Sequence, residues 1–199
     1  LDELLLQLRG TDHTVLLCDV DRFKRINDGY GHAAGDRLLV TVARRMRRIL
    51  PPDAHLARFG GDEFVVVLLT ARPEEVDDLV RRIEDAVQRP VSIGDRVAIR
   101  PTMSIGVADT TDAHTPDLLR HADAALYEAK RAGRHQARRF DATLRTQVEN
   151  EAFVEREVEQ ALESGALTCA FQPETHLGTG ELYAVEALAR WHHPERGVI

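Results

Sequence analysis

Residues 58–64 read Arg-Phe-Gly-Gly-Asp-Glu-Phe, and strand-like sequence lies on both sides of the two glycines, at residues 55–59 and 63–69. Two glycines between such runs predict a tight β-hairpin, because glycine tolerates the positive φ that tight hairpin turns need. Asp62 and Glu63 then lie at the hairpin tip. The stretch predicts a turn that presents two carboxylates, and ordinary turn acids remain the alternative for both.

A second acidic pair follows the apolar run at residues 13–19, which predicts a buried strand. Asp19 and Asp21 stand on either side of Val20 at the end of this strand. A hairpin tip beside a strand end can bring Asp62 close to Asp19, and carboxylates from two strands can hold Mg²⁺ on a triphosphate. Metal ions placed in this way suit in-line attack at phosphorus. The alternative is that the Asp-Val-Asp segment forms a helix cap or a turn.

Asn27 and Asp36 flank the glycine-bounded segment at residues 29–35. A carboxylate can accept hydrogen bonds from N1 and N2 of guanine, and an amide can pair with O6 or N3. Such a site discriminates against adenine, because the wrong base leaves its polar groups unpaired. The alternatives are that Asn27 is a turn residue and that Asp36 is a helix N-cap.

Lys130 and Arg134 are four residues apart, across Gly133 and the end of a helix predicted over residues 115–131. Two cations at this spacing can face one ligand. Phosphate oxygens suit both groups, and a guanidinium can bind two oxygens at once. The alternative is a solvated helix end, where the helix dipole favours cations in any case.

The remaining patterns predict the element order α-β-α-α-β-β-α-β-β-β-α-β. It begins with a helix over residues 1–9, includes a second hairpin turn at Gly94-Asp95, and closes with a strand over residues 137–140. This order predicts an antiparallel-rich sheet flanked by helices, of the α+β or mixed α/β class.

The chain has 199 residues, of which 43% are hydrophobic and 30% charged, which indicates one globular domain and part of a second. The net charge of −7 argues against binding to a nucleic-acid polymer, which depends on basic surface. We find no apolar run of about 18 residues that would cross a membrane. Cys18 and Cys169 lie far apart in apolar runs, which indicates buried thiols in a reducing cytoplasm.

The segment at residues 141–165 holds seven acidic and two basic residues and predicts a solvated linker helix. Residues 167–173 and 181–190 then predict two strands. Because these are too few to form a core, we expect residues 166–199 to be the start of a second domain.

Four motifs in one order give the chain a resemblance to the GGDEF family of diguanylate cyclases. They are residues 18–28 (CDVDRFKRIND), 31–36 (GHAAGD), 58–64 (RFGGDEF) and 123–134, which contains DAALYEAK and then Gly133-Arg134. The resemblance covers residues 1–140. It implies a nucleotide-cyclase or polymerase-palm-like fold.

The resemblance also implies roles for the matching residues. Asp19, the Val20 carbonyl and Asp62 match metal ligands, for Mg²⁺ with Mn²⁺ as an alternative. The residues matching catalytic positions are Asp62 as general base, Glu63 and Lys24. The residues matching substrate-binding positions are Phe23, Asn27, His32, Asp36, Lys130 and Arg134.

The implied reaction joins two GTP molecules into cyclic di-GMP and releases two pyrophosphates. The 3′-hydroxyl of one GTP attacks the α-phosphate of the other. Each domain holds one GTP, so the resemblance implies a homodimer. We expect a cytoplasmic domain, with membrane anchoring of the full-length protein left open through an N-terminal part before Leu1, which looks like a cut end.

Two departures from the family pattern stand out. The Asp-x-Leu-Thr-Gly-Leu-x-Asn-Arg stretch that usually precedes the first helix is absent. The family's inhibitory product site is an Arg-x-x-Asp motif just before the signature, and the aligned residues here are Pro51 and Ala54, with Asp53 off by one. We therefore expect little product inhibition through that site.

Residues 171–173 (FQP) and 186–191 (EALARW) resemble the opening of an EAL phosphodiesterase domain. By this resemblance Glu186 matches a metal ligand, and Gln172 and Arg190 match substrate contacts. The other metal ligands of that pattern are not in the chain, so we expect no phosphodiesterase activity from these 199 residues.

Two alternatives to an active cyclase stay open. The domain could be a GTP-binding regulatory module that controls an attached cyclic di-GMP phosphodiesterase, or a structural dimerisation domain. The intact signature and the matched polar residues favour the cyclase.

Overall fold

The computed structural model of the chain describes residue 8 and residues 11–69, 72–93, 97–110 and 117–198. Apart from residue 8, the helix predicted over residues 1–9 lies outside these residues, as does the turn predicted at Gly94-Asp95. The chain divides into two compact units, Leu1–Arg145 and Thr146–Ile199.

The described helices are α1 Phe23–Tyr30, α2 His32–Ile49, α3 Pro73–Val87, α4 Leu118–Arg131 and α5 Ala142–Glu163. The described strands are β1 His13–Val20, β2 His55–Gly60, β3 Glu63–Leu69, β4 Val91–Ser92, β5 Ala98–Ile99, β6 Met103–Asp109, β7 Ala137–Arg139, β8 Leu167–Thr175, β9 Leu182–His193 and β10 Gly197–Val198.

The first unit is built on a five-stranded sheet in the order β2-β3-β1-β6-β7. The central strand β1 runs antiparallel to both β3 and β6, and only the edge pair β6–β7 is parallel. The predicted α+β (mixed α/β) class with an antiparallel-rich sheet and flanking helices is confirmed.

Strand β1 is buried along its whole length, because it has a hydrogen-bonded neighbour on each side and its side chains pack into the core. Its residues Leu16, Cys18 and Val20 belong to the same apolar cluster as residues of α2, α3, β3 and β6. Because β1 is covered in this way, Asp19 near its end is also largely shielded from water.

Helix α4 approaches the sheet most closely at Gly106 of β6. A Cβ atom at this position would lie 2.0 Å from the Ala122 carbonyl oxygen and 2.4 Å from the Leu126 amide nitrogen. Glycine is therefore required here for the helix backbone to pack directly on the strand. This contact sets the position of the later turns of α4, including Lys130.

The segment between α1 and α2 differs from its prediction. Helix α1 continues through Gly29 and α2 begins at His32, so most of the glycine-bounded segment at residues 29–35 is helical, and only Gly31, with φ of 80°, separates the two helices. Asn27 and Asp36 consequently lie inside helices, and the turn and N-cap interpretations of these residues are wrong. Neither residue is the N-cap of its helix, because Arg22 and Gly31 occupy those positions.

In the second unit β8 and β9 form a long antiparallel hairpin, and β10 pairs with the end of β9. Trp191 is buried and stacks on Phe153 of α5 with ring centroids 5.7 Å apart, and the Arg196 guanidinium lies 3.8 Å from the centroid of the Phe153 ring. His193 is also buried, and most other residues of β8 and β9 are exposed to solvent. Cys18 is buried as predicted, but Cys169 is exposed, because β8 lies in this open hairpin.

Among the described residues, no helix combines the length and the apolar character needed to cross a membrane.

Candidate functional site

The signature stretch forms the tip of the β2–β3 hairpin. Gly60 still pairs with Glu63, so the two turn residues are Gly61, with φ of 42°, and Asp62. The sequence pattern placed the turn one residue earlier, at Gly60-Gly61. The difference arises from an irregularity in the ladder between Arg58 and Gly60, which shifts the pairing.

Arg58 holds this turn in place. Its Nε and Nη2 atoms donate to the Gly61 carbonyl oxygen at 2.9 and 2.6 Å. The first residue of the quoted stretch thus fixes the backbone beside Asp62. This role of Arg58 was not predicted, since nothing in the local sequence pattern indicates which carbonyl its side chain reaches.

The end of β1 lies next to this turn. Asp19 is directly opposite Glu63 in the β1–β3 pairing, and the Val20 amide donates to the Asp62 carbonyl oxygen at 3.2 Å. The antiparallel register therefore brings together Asp19, Val20, Asp62 and Glu63, which are four of the predicted site residues.

Asp19 forms an ion pair with Lys130 from the last turn of α4, with 2.7 Å between Oδ2 and Nζ. The Asp19 side chain is only 11% exposed. Burial raises its pKa above the ordinary value, the hydrogen bond and charge of Lys130 oppose this increase, and the negative charges of Asp62 and Glu63 add to it. Asp19 thus has one cationic partner, Lys130, and two neighbouring carboxylates, Asp62 and Glu63.

The oxygen atoms at this point fit a hard divalent cation, because carboxylate and carbonyl oxygens are the ligands that Mg²⁺ prefers. Within the described ranges, no group of three His, Cys, Asp or Glu side chains is arranged to hold a metal ion. A cation here would take two carboxylates and a backbone carbonyl, as the predicted set Asp19, Val20 and Asp62 provides.

Asp21 has a different role from its neighbour Asp19. Its carboxylate accepts hydrogen bonds from Thr102 Oγ1 at 2.7 Å, Ser104 Oγ at 2.7 Å and the His135 backbone amide at 3.1 Å. These bonds occupy the buried carboxylate and tie the segment after α4 to the sheet. The second acid of the Asp-Val-Asp segment is therefore a structural residue that supports the site.

Phe23 and Asn27 lie on the face of α1 that packs against α2. A Cβ atom on Gly35 would lie 2.0 Å from Asn27 Oδ1 and 3.0 Å from the tip of the Phe23 ring. Asn27 Oδ1 is buried and has no hydrogen-bond partner in the described part of the chain. His32 and Asp36 are exposed on the first turns of α2. Gly35 thus leaves the space in which the Asn27 side chain and the Phe23 ring pack between the two helices.

The remaining predicted residues of the first unit lie on its surface. Lys24 is exposed on α1, and Arg134 is exposed after Gly133. Lys130 contacts Asp19, whereas the Arg134 side chain lines a cleft with Arg22. The two cations predicted to act together thus have different surroundings.

In the second unit Gln172 of β8 lies directly opposite Glu186 of β9, and Thr168 lies opposite Arg190. Because side chains alternate along a strand, Gln172, Glu186 and Arg190 share one face of the hairpin. Gln172 and Glu186 are exposed.

Comparisons with known proteins show similarity in sequence and in fold. A family model described as diguanylate cyclase, GGDEF domain, matches residues 1–136. The cyclic di-GMP phosphodiesterase NbdA of Pseudomonas aeruginosa is 36% identical over 195 residues, which are 97% of this chain and 25% of NbdA. The bifunctional diguanylate cyclase/cyclic di-GMP phosphodiesterase MucR of the same organism is 36% identical over 93% of this chain and 27% of MucR.

Among solved structures, the GGDEF domain of TpbB (YfiN) from Pseudomonas aeruginosa matches with a TM-score of 0.66 and 36% identity. The match covers 70% of this chain and 83% of that domain. The chain spans about a quarter of the length of NbdA and MucR, the curated relatives it matches.

Proposed function

Since this chain belongs to the GGDEF family of diguanylate cyclase domains, we propose that its first unit condenses two GTP molecules into cyclic di-GMP and two pyrophosphates. The observation that carries the proposal is the meeting of Asp19, Asp62 and Glu63 at one end of the sheet, beside Lys130. Transfer at a phosphorus atom requires oxygen ligands for the cations and a positive group for the phosphate.

GTP is a cytoplasmic nucleotide, so we also propose that the domain lies in the cytoplasm.

Asp19, Asp62 and the Val20 carbonyl would hold the divalent cation, with Mg²⁺ preferred and Mn²⁺ as an alternative. When bound, the cation neutralises phosphate charge and lowers the pKa of an attacking hydroxyl. The chain's own part is to keep Asp19 in place through Lys130 and to keep Asp62 in place through the turn that Arg58 clamps. In this proposal Asp62 also accepts the proton of the attacking 3′-hydroxyl, with Glu63 beside it.

Guanine recognition is proposed for the α1–α2 contact. Asp36 accepts hydrogen bonds from N1 and N2 of guanine, which adenine does not offer in that pattern, while the side-chain amide of Asn27 pairs with O6 or N3. Phe23 and His32 provide the adjacent packing and contact surface. Lys24, Lys130 and Arg134 then face the phosphates, in line with their positive charge.

The reaction needs two GTP molecules in opposite orientation, and this chain provides one candidate site. We therefore propose that synthesis takes place between two copies of the domain, each holding one GTP. The 3′-hydroxyl held by one copy attacks the α-phosphate held by the other.

We further propose that residues 166–199 begin an EAL domain, after a linker helix at residues 141–165. The β8–β9 hairpin exposes Phe171, Tyr183 and Val185, a pattern that fits a hairpin completed by further chain. The similarity to NbdA and MucR extends over nearly the whole chain, and both names include phosphodiesterase activity. Gln172, Glu186 and Arg190 would contribute to that second site, which these residues alone do not complete.

The direct test is synthesis of cyclic di-GMP from GTP and Mg²⁺ by the dimeric, full-length protein. We expect Asp62→Ala to lower the rate by a factor of about 100 or more, because it removes the proposed ligand and base together. Circular dichroism should show an intact fold. Asp85→Ala, an exposed acid on α3, is the matched control and should retain the rate.

Retained synthesis in Asp62→Ala would refute the assignment of the site. Binding of GTP without synthesis in the unchanged protein would instead favour a GTP-binding regulatory module attached to a phosphodiesterase.

A further inference from the structure

A cleft of about 570 Å³ lies next to the candidate site, between α1, the β5–β6 connection and the segment after α4. Four arginine residues from these three segments line it: Arg22, Arg25, Arg100 and Arg134. The cleft also contains the exposed ring of Tyr30 and the side chains of Ile26 and Ile99. Its volume lies in the range of small-molecule sites, roughly 300–1,000 Å³.

The charges of the four arginines are not compensated within the described part of the chain. None of their side chains forms an ion pair or a hydrogen bond there. Asp21 is the one acid among the described lining residues, and three hydrogen bonds already occupy its carboxylate. A cleft lined by positive charges attracts anions. The cleft therefore differs in sign from the chain as a whole, whose net charge is −7.

The backbone of the same cleft is held in an unusual conformation. Arg22, Arg134 and His135 have φ of 57°, 65° and 50°, and they are the non-glycine residues with positive φ in the described ranges. All three line the cleft. Such conformations are unfavourable for residues with a Cβ and tend to occur where a ligand is held. Asp21 helps to hold the backbone at His135 in this conformation, because its carboxylate accepts a hydrogen bond from the His135 amide.

We propose that this arginine-lined cleft binds the polyphosphate group of a ligand, as an extension of the candidate phosphate site. Guanidinium groups match phosphate because each can donate two parallel hydrogen bonds to it. Arg134 belongs both to the proposed GTP contacts and to the cleft, so the cleft begins where the outer phosphates of GTP would lie. The inference rests on the proposed function, and the ligand is either the outer phosphates of bound GTP or the pyrophosphate that synthesis releases.

A second pocket in the same unit provides a contrast. It has a similar volume of about 600 Å³, but Asp53, Glu74, Glu75 and Asp78 line it with only Arg82 as a cation. An excess of cationic residues is therefore a feature of the first cleft that the second pocket does not share.

The test is isothermal titration of inorganic pyrophosphate into the full chain. We expect the double variant Arg25→Gln/Arg100→Gln to bind pyrophosphate at least about tenfold more weakly, since two charge-assisted contacts are lost. The matched control is Arg81→Gln/Arg120→Gln, which removes the same charge from exposed arginines that pair with Asp78 and Asp117 on α3 and beside α4. The control should bind like the unchanged chain.

A parallel titration with GTP distinguishes the two sources of the phosphate group. Weaker binding of both ligands by the double variant assigns the cleft to the outer phosphates of GTP, and weaker binding of pyrophosphate alone assigns it to the leaving group. Unchanged pyrophosphate binding in the double variant, with loss in Lys130→Gln, would overturn the proposal and leave pyrophosphate at the candidate catalytic site. Because these titrations do not require synthesis, a failure of the cyclase proposal would show separately, in the assay of the Asp62 variant.

Discussion

Strands β1 and β9 are both long and both pair with antiparallel neighbours on each side for part of their length, yet their surroundings are opposite. All eight residues of β1 are buried, whereas seven of the twelve residues of β9 are exposed. Each carries an acid that the sequence resemblances predict to be a metal ligand. Asp19 on β1 has a raised pKa and a lysine partner, and Glu186 on β9 is exposed to solvent. The comparison shows that coverage by other elements, and not strand sequence, gives a carboxylate unusual properties.

The largest expected effect tests this difference directly. We expect Asp19→Asn to lower cyclic di-GMP synthesis by a factor of about 100 or more, since it removes a proposed metal ligand from a buried site. Glu186→Gln, the matched change on β9, should leave synthesis unchanged. Equal effects of the two substitutions would show that the buried position of Asp19 does not matter.

The pH dependence of thermal stability tests the effect of burial on Asp19. Because the pKa of Asp19 is raised in the folded chain, first by burial, its ionised form is less favourable there than in the unfolded chain. The contribution of the group is fully present below its unfolded pKa and is lost as the pH rises through its folded pKa. We expect Asp19→Asn to raise the Tm at neutral pH. This gain should decrease as the pH falls through the raised folded pKa and should be absent below the ordinary pKa of aspartate, and a constant gain at all pH values would contradict the assignment.

A smaller effect is expected from glycine substitutions in the two units. Gly106→Ala places a Cβ 2.0 Å from the backbone of α4 and should lower the free energy of unfolding by about 1–3 kcal/mol, as overpacking does. Gly178, between β8 and β9, has nothing within 4 Å of an added Cβ, so Gly178→Ala should change stability by less than about 0.5 kcal/mol. Chemical denaturation measures both. A neutral Gly106→Ala would mean that α4 can move away from β6.

The smallest expected effect is that of cyclic di-GMP on the rate of its own synthesis. Pro51 and Ala54, which align with the inhibitory Arg-x-x-Asp motif of the family, line a pocket together with Arg82. Its acids Asp53, Glu74, Glu75 and Asp78 oppose a ligand with two phosphates. We expect added cyclic di-GMP to leave the rate of synthesis nearly unchanged. Strong inhibition that Asp53→Ala abolishes would contradict this expectation.

Much of the first unit follows from local sequence. The hairpin at the signature, the buried strand that ends at Asp19 and the helix that ends near Lys130 were all predicted, and each lies within a few residues of its predicted bounds. Periodicity and turn residues suffice for these elements, because the physical causes of each are local. The prediction failed at Gly29 and Gly35, which were interpreted as the limits of a segment between helices, although Gly29 lies within α1 and Gly35 within α2.

The supporting contacts of the site were not predictable in this way. Asp21 has the same local context as Asp19, and its role became clear only from Thr102, Ser104 and the His135 amide, which lie far away in the chain. The role of Arg58 likewise depends on the exact geometry of a bulged hairpin. Neither residue has a local pattern that would reveal its partner.

The sequence by itself determined the family, the strand and turn that carry the acids, and the residue types suited to cations, guanine and phosphate. These properties depend on short stretches of chain, where spacing and side-chain chemistry are visible directly. The tertiary structure alone decided that Lys130 pairs with Asp19, that Asp21 is a structural residue, and that four arginines from three segments share one cleft. Such contacts join residues distant in sequence, and their energies depend on burial and register that only the packed sheet and helices provide.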